Sequence, residues 1–303
     1  MIRYLTGKEP ANEMLTMNRR RVEQLKERTN IIPRLDVIRV GADPASERYV
    51  RNKQKDADSV GIQCVVHHFA EMEAYDLASC DVDKIQLTIE QCALDKRCHG
   101  IILQLPFESK DIENRLINVI PIEKDVDGLT AGSIGVRTVD VNGAFWPCTP
   151  EGVIEMLCYY RVPMAGKNVA VVGRSNLVGQ PLAQMLTNED ATVTVYHSKS
   201  DKTRMCLGLS EYDIVCLCTG QGHRFDASML VDPDRDPSDQ QIIVDVGISF
   251  DKNGRMIGDF NPAELKLTDN VSYTPVPGGI GLMTRAVLMK HVIDAAERCI
   301  SIL

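Results

Sequence analysis

VAVVGRSNLVGQPLAQML, Val169 to Leu186, is a short apolar run that meets a Gly-Arg-Ser turn and then resumes at helical spacing. The pattern predicts a strand, a phosphate-binding turn and a helix. Gly173 stands where the backbone must turn after Val169–Val172. The N–H groups that follow, with the helix dipole behind them, suit a pyrophosphate, so a dinucleotide is the first ligand to consider. The match to G-x-G-x-x-G is loose, because Ser175 replaces the second glycine and the last one arrives a residue late, at Gly179. Pro181 fits a first helical turn, where it lacks only an N–H that has no intrahelical partner. The helix is therefore expected to begin near Val178, after a longer loop than usual.

Around this stretch lies a series of further strands, at Ala191–His197, Asp213–Gly220, Gln241–Gly247 and Val271–Val276. With Asn168–Gly173 they predict a Rossmann-type parallel-sheet, dinucleotide-binding domain. An acidic residue at the end of the second strand would favour the free ribose hydroxyl of NAD. The sequence there reads Tyr196-His197-Ser198-Lys199, with no carboxylate. Ser198, Lys199 and Arg174 suit a 2′-phosphate, which makes NADP the expected cofactor; His197 could instead simply cap the strand. Asp232–Gln240 is polar and proline-containing, and reads as a surface excursion.

The first half alternates in the same way. Pro10–Arg28 places Leu15, Val22 and Leu25 at helical spacing around a solvated arginine face. Leu35–Val40, Ile62–Phe69 and His99–Pro106 read as strands, with helices over Ser46–Ser59 and Val82–Leu94 between them. Such alternation implies parallel βαβ units. Between Pro121 and Pro150 the periodicity fades into turn-rich sequence, which suits a domain connection or a substrate-lining loop. Thr284–Ile300 is amphipathic and is expected to pack back on the first domain. The expected class is α/β with two domains and an interdomain cleft: residues 1–147 with 280–303, and residues 148–279.

At 303 residues the chain has room for about two domains. A net charge of −8 argues against general affinity for nucleic acid or an anionic membrane. No window approaches the roughly 18 apolar residues of a membrane span, and MIRYLTGKEP carries no targeting pattern, so a soluble cytoplasmic protein is expected. The ten cysteines include no C-x-x-C pair. Cys216 and Cys218 share one face of a strand and read as reduced packing residues, and no metal is expected.

Three places could carry chemistry. Tyr49 and Lys53 are four apart and face the same way on the Ser46–Ser59 helix, although the charged run RNKQKD equally describes a solvated surface lysine. Gln104 interrupts GIILQLP at the carboxyl end of a parallel strand, where α/β sheets bind ligands. A buried glutamine satisfied by backbone groups is the competing account. Asp125 and Asp127 precede Gly128, a pattern that an ordinary Asx turn also explains.

Assembled in order, these pieces resemble the bifunctional methylenetetrahydrofolate dehydrogenase/cyclohydrolases. The matching runs are PASERYVRNK (Pro44–Lys53), GIILQLP (Gly100–Pro106), KDVDG (Lys124–Gly128), PCTPEG (Pro147–Gly152), GRSNLVGQP (Gly173–Pro181), HSK (His197–Lys199), CTGQ (Cys218–Gln221), DVGI (Asp245–Ile248) and TPVPGGIGLMT (Thr274–Thr284). The resemblance implies Lys53, Gln104 and Asp127 as catalytic residues. It implies a folate substrate held by Tyr49, Asp127, Pro277, Gly278 and Gly279. For NADP it implies Thr149, Gly173, Arg174, Ser175, Val178, Gly179, His197, Ser198, Thr219, Gly220, Gly247 and Ile248. It also implies a homodimer. Ser133, Leu282 and Phe260 depart from the family's common asparagine, proline and valine. A shikimate-type dehydrogenase would explain the Gly173 turn but not the contexts of Gln104 and Asp127. A hydrolase with a degenerate nucleotide site and a non-catalytic folate- or nucleotide-binding subunit are the other readings.

Overall fold

The computed structural model describes residues 2–301 apart from 73–76, 106, 108, 141, 233, 237–238 and 267–269. Pro106, which closes the GIILQLP motif, and Pro233, Pro237 and Ser238 of the expected surface excursion lie outside the described residues. The chain forms two compact units, Asn12–Cys148 with Arg285–Leu303, and Met1–Ala11 with Thr149–Thr284. The sequence division differs at the N-terminus, because β1 (Arg3–Tyr4) joins the second unit's sheet rather than the first's. Arg3 lies opposite Ser272 in a parallel pairing, and Leu5 N donates to Tyr273 O at 2.9 Å. Two residues are too few for alternation to be visible in a sequence.

The first unit takes most of α1 (Lys8–Thr29) and then alternates β2 (Arg34–Val40), α2 (Pro44–Val60), β3 (Gln63–Phe69), α3 (Ser79–Leu94) and β4 (Gly100–Leu103). The strands form a parallel sheet in the order β3-β2-β4. Central β2 is buried along nearly its whole length, as a parallel strand covered on both faces must be. α2 carries Tyr49 and Lys53 and is fixed at both ends. The Asp43 side chain accepts from Ser46 N at its start, and Gly61 turns left-handed at its end.

The segment from Pro121 to Pro150, expected to be turn-rich, contains more structure than its sequence suggests. After α4 (Lys110–Ile117) it forms a single 3-10 turn, Ile122–Lys124, and then α5 (Ala131–Val139), whose N-cap is Thr130. Two glycines inside α5 weaken its helical signal. Lys124 is buried, and its ammonium donates to the carbonyls of Cys92, Ala93 and Asp95 at 3.2, 2.7 and 2.8 Å. It thereby satisfies the carbonyl end of α3.

The second unit runs α6 (Cys148–Tyr159), β5 (Asn168–Val172), α7 (Gly179–Asn188), β6 (Thr192–Tyr196), α8 (Lys202–Gly208) and β7 (Ile214–Leu217). It continues through β8 (Phe225–Asp226), α9 (Ala227–Leu230), β9 (Gln241–Asp245), β10 (Ser249–Phe250), β11 (Met256–Ile257), β12 (Phe260–Asn261) and β13 (Val271–Tyr273). Its main sheet is parallel throughout, in the order β1-β13-β9-β7-β5-β6. α7 begins one residue after Val178, as the position of Pro181 predicts. Phe260, one of the three departures, is buried and meets the Tyr273 ring edge to face at 5.4 Å.

From Arg285 onward, α10 (Ile280–Ser301) belongs to the first unit, as expected of the final helix. Arg285 pairs with Asp56 at 2.5 Å, Asn18 donates to Ala286 O, and His291 Nδ1 lies 2.8 Å from Val126 O. Among the described residues no helix is long and apolar enough to cross a membrane.

Lys124→Met keeps the bulk of the side chain but leaves three carbonyls at the end of α3 without their donor. It should lower the unfolding free energy by about 1–3 kcal/mol. Urea unfolding followed by circular dichroism would show this as a lower midpoint at unchanged slope.

Candidate active site

In the first unit the helix and strand picked out by sequence do meet. Lys53 Nζ donates to Gln104 Oε1 at 2.9 Å. The glutamine's own orientation is settled by its neighbour, since Gln104 Nε2 donates to Leu105 O at 2.9 Å and so turns the oxygen towards the lysine. Its backbone N–H continues the sheet ladder to Ile38 O at 2.8 Å, which places the side chain at the carboxyl end of β4. Burial pushes the Lys53 pKa below the ordinary lysine value, against the opposing pull of the Asp127 carboxylate. The solvated-lysine account therefore fails for Lys53. Gln104 is half-buried, and its side chain is satisfied by the Leu105 carbonyl and the Lys53 amine.

The two aspartates of KDVDG separate cleanly. Asp125 is buried and builds the turn, accepting from Leu129 N at 3.1 Å, Thr130 N at 2.8 Å and Ser133 Oγ at 2.6 Å. Ser133, the residue that departs from the family asparagine, is thus buried in the turn's hydrogen-bond network. Asp127 takes no part in that network and instead faces Lys53 electrostatically. Gly128 holds a positive φ of 65°, and a Cβ there would run into the backbone of Phe145 and Trp146. No other residue fits that approach without shifting the loop. Tyr49 is 43% exposed, one turn before Lys53 on α2, and offers an open ring face.

The second unit contains a cavity of about 230 Å³ at the carboxyl ends of β5, β6 and β7. Of the expected cofactor residues, Gly173, Arg174, Ser175, His197, Ser198 and Thr219 line it. Gly173 has φ 132°, and a Cβ there would sit 2.5 Å from Cys218 O. A side chain at Gly179 would strike the Gly173 carbonyl, so the two glycines let turn and helix close on each other. Ser175 Oγ accepts from Val178 N at 3.2 Å and braces the turn in place of the missing glycine. Behind it, α7 has the ten residues needed to present an N-terminal dipole.

The remaining expected residues lie outside the lining of this cavity. Gly220 and Gly247 lie in the loops after β7 and β9, and Ile248 is exposed. Thr149, on α6, receives a hydrogen bond from Thr284 Oγ1 at 3.2 Å. Gly278 accepts from Gly7 N at 2.8 Å in the second unit, where Pro277 and Gly279 flank it.

Two features were missed. Arg224 lines the cavity with Gln221, to which it donates, and supplies a second cation beside Arg174. A lone arginine after a glycine loop carries no sequence signal. Asp259, fully buried, accepts from the N–H groups of Thr219, Gly220 and Gln221 at 2.6, 3.2 and 2.7 Å, and from Thr219 Oγ1 at 2.8 Å. Asp245 in turn accepts from the N–H groups of Asp259 and Phe260 at 3.0 and 2.9 Å. The signal available was an acid within two residues of a glycine in both DVGI and Gly258-Asp259.

A glycine-turn dinucleotide unit carried in one chain with an α/β unit that holds a withdrawn lysine defines a two-unit oxidoreductase with a second chemical centre. The chain belongs to the tetrahydrofolate dehydrogenase/cyclohydrolase family, whose catalytic-domain model matches residues 5–127 and whose NAD(P)-binding-domain model matches residues 147–300. It is 37% identical over 298 residues to the bifunctional protein FolD of Ligilactobacillus salivarius, covering 98% of each chain. The bifunctional FolD methylenetetrahydrofolate dehydrogenase/cyclohydrolase of Campylobacter jejuni superposes with a TM-score of 0.87 at 30% identity, covering 98% of this chain and 99% of that one. The Trypanosoma brucei enzyme, solved with NADP cofactor and an inhibitor, gives 0.86 at 27% identity, covering 98% of both.

Arg174→Ala should raise the KM for NADP about ten-fold or more, the loss of one charge-assisted hydrogen bond to phosphate, while leaving that for NAD nearly unchanged. Initial rates with the two cofactors at matched concentrations measure it.

Proposed function

We propose that the protein oxidises 5,10-methylenetetrahydrofolate to 5,10-methenyltetrahydrofolate with NADP, and hydrolyses that product to 10-formyltetrahydrofolate. The observation that carries this reading is the half-buried Lys53, whose amine is held at 2.9 Å by Gln104 beside Asp127. Family membership across both matched domains supports the pairing of redox and hydrolytic steps. When bound, NADP supplies the hydride acceptor. Gly173, Gly179 and the start of α7 form its pyrophosphate cradle, and Arg174, Ser198 and Arg224 are the side chains suited to its 2′-phosphate.

The substrate chemistry explains why the lysine must be neutral. Hydride leaves the bridging carbon under the push of the adjacent nitrogen lone pairs, and no proton has to be removed in that step. The methenyl product is a cation, which an ammonium would repel and a free amine tolerates. As water adds to the methenyl carbon, its oxygen forms the new bond and Lys53 Nζ takes its proton. Collapse to the formyl group then breaks the bond to the second nitrogen, which takes up a proton. Gln104 positions the amine throughout. Asp127 accepts N–H donors of the pterin ring, and Tyr49 stacks on the aminobenzoyl ring. Pro277, Gly278 and Gly279 are the further residues that the family resemblance assigns to the substrate.

The folate chemistry is assigned to the unit that carries Lys53 and the nucleotide to the unit that carries Gly173. We further assign a homodimer acting in the cytoplasm on a small-molecule substrate, on the strength of the family resemblance.

Lys53→Met should abolish methenyl hydrolysis more completely than hydride transfer, because only the first needs a base. Following methenyl absorbance as it forms and decays separates the two, and a wild-type decay rate in the variant would refute the assignment. A second expectation concerns pH. The neutral amine is the active form, so the enzymatic hydrolysis rate should rise with pH and reach its plateau below the ordinary lysine value of 10.5. A rate profile without that rising limb would remove Lys53 as the base.

A further inference from the structure

Away from the lysine, three side chains of the first unit converge from three different elements. Asp36 on β2, His67 on β3 and Cys92 on α3 bring one ligand atom each within 4.8 Å of one another. Asp36 Oδ1 is 2.7 Å from His67 Nε2, and Cys92 Sγ is 3.6 Å from that oxygen and 3.5 Å from that nitrogen. Asp36 and Cys92 are buried, whereas the His67 side chain keeps 27% of its surface exposed and opens the cluster to solvent. None of the three takes part in the chemistry assigned to Lys53.

A simple core ion pair explains only part of this. Asp36 Oδ1 is saturated, accepting from Arg34 Nη2 at 2.7 Å as well as from His67. Asp36 Oδ2 is buried without a hydrogen-bond partner, so the carboxylate keeps acceptor capacity that its protein neighbours do not use. The acid is nevertheless kept ionised. Burial raises its pKa, but the hydrogen bonds of Arg34, His67 and Cys98 outweigh that and hold it below the ordinary value.

The distances also carry information. A tetrahedral centre with bonds of about 2.0 Å to nitrogen and oxygen and about 2.3 Å to sulfur sets its ligand atoms roughly 3.3–3.6 Å apart. Both separations from sulfur already meet that spacing. The 2.7 Å contact between His67 and Asp36 needs to open by about half an ångström, on the side where the histidine faces solvent.

We propose that Asp36, His67 and Cys92 form a binding site for one zinc-class divalent cation, with a solvent molecule as fourth ligand. Binding at His67 Nε2 takes the imidazole in the tautomer that carries its N–H on Nδ1, and the Cys92 thiol proton leaves to solvent as the metal–sulfur bond forms. Arg34 remains the outer hydrogen-bond partner of the carboxylate, as ligating carboxylates commonly require. By joining β2, β3 and α3, the cation stabilises the unit that carries Lys53.

The test uses the full chain, reduced and freed of metal by chelation, titrated with cobalt(II). The expected result is a thiolate-to-cobalt charge-transfer band that saturates at about one cobalt per chain. Cys158→Ser, at an exposed cysteine, should keep the band, and Cys92→Ser should lose it. His67→Gln changes a partly exposed side chain and guards against a misfolded Cys92 variant. It should weaken cobalt binding by about 100-fold or more, beyond the roughly 10–100-fold cost of losing an outer-shell partner. Zinc should raise the thermal midpoint of the wild type but not of His67→Gln. A wild type without the band, a band undiminished in Cys92→Ser, or equal affinity in His67→Gln would each overturn the proposal.

Discussion

The chemistry proposed for the first unit depends on an ammonium group being partly withdrawn from water. A lysine in solvent carries its charge far above neutral pH, and a charged lysine can neither accept a proton nor sit beside a cationic folate. α2 places Lys53 where burial disfavours the charge, and Asp127 returns part of what burial removes. The amine is left poised rather than permanently discharged. The capped ends of α2 fix the helix that carries Lys53, and Asp125 rather than Asp127 takes the hydrogen bonds of the turn.

The nucleotide unit solves a different problem, the close approach of backbone to phosphate. A side chain at Gly179 would collide with the Gly173 carbonyl, and one at Gly173 with the Cys218 carbonyl, so both positions are confined to glycine by neighbouring backbone. This explains how a motif lacking its middle glycine can still form the cradle. Ser175 stands at a point where a hydroxyl can brace the turn through Val178 N, so only the two crowded positions are obligatory.

Much of this architecture was legible because parallel strands buried on both faces leave long apolar runs, and helices between them leave a 3.6-residue rhythm. β5, β6, β7 and β9 and the helix after Val178 all fall where those rhythms place them. Lys53, Gln104 and Asp127 stood out only by the ordered set of motifs around them, because a lysine in RNKQKD looks like any surface lysine until its surroundings are known. Features that depend on distant partners left no trace. β1 is two residues long and exists because Val271–Tyr273 offers it an edge. α5 is punctuated by glycine, and the convergence of Asp36, His67 and Cys92 joins residues separated by up to 56 positions.

Asp259 has one more effect on how this protein handles its nucleotide. The backbone donors of Thr219, Gly220 and Gln221, which at another glycine-containing loop would be free to grip an anion, are already committed to that buried carboxylate. The loop is therefore a finished wall, shaped from within before any ligand arrives. Discrimination among nucleotides falls to the side chains across from it, where one arginine more or less can re-tune which coenzyme the fold accepts without disturbing the wall itself.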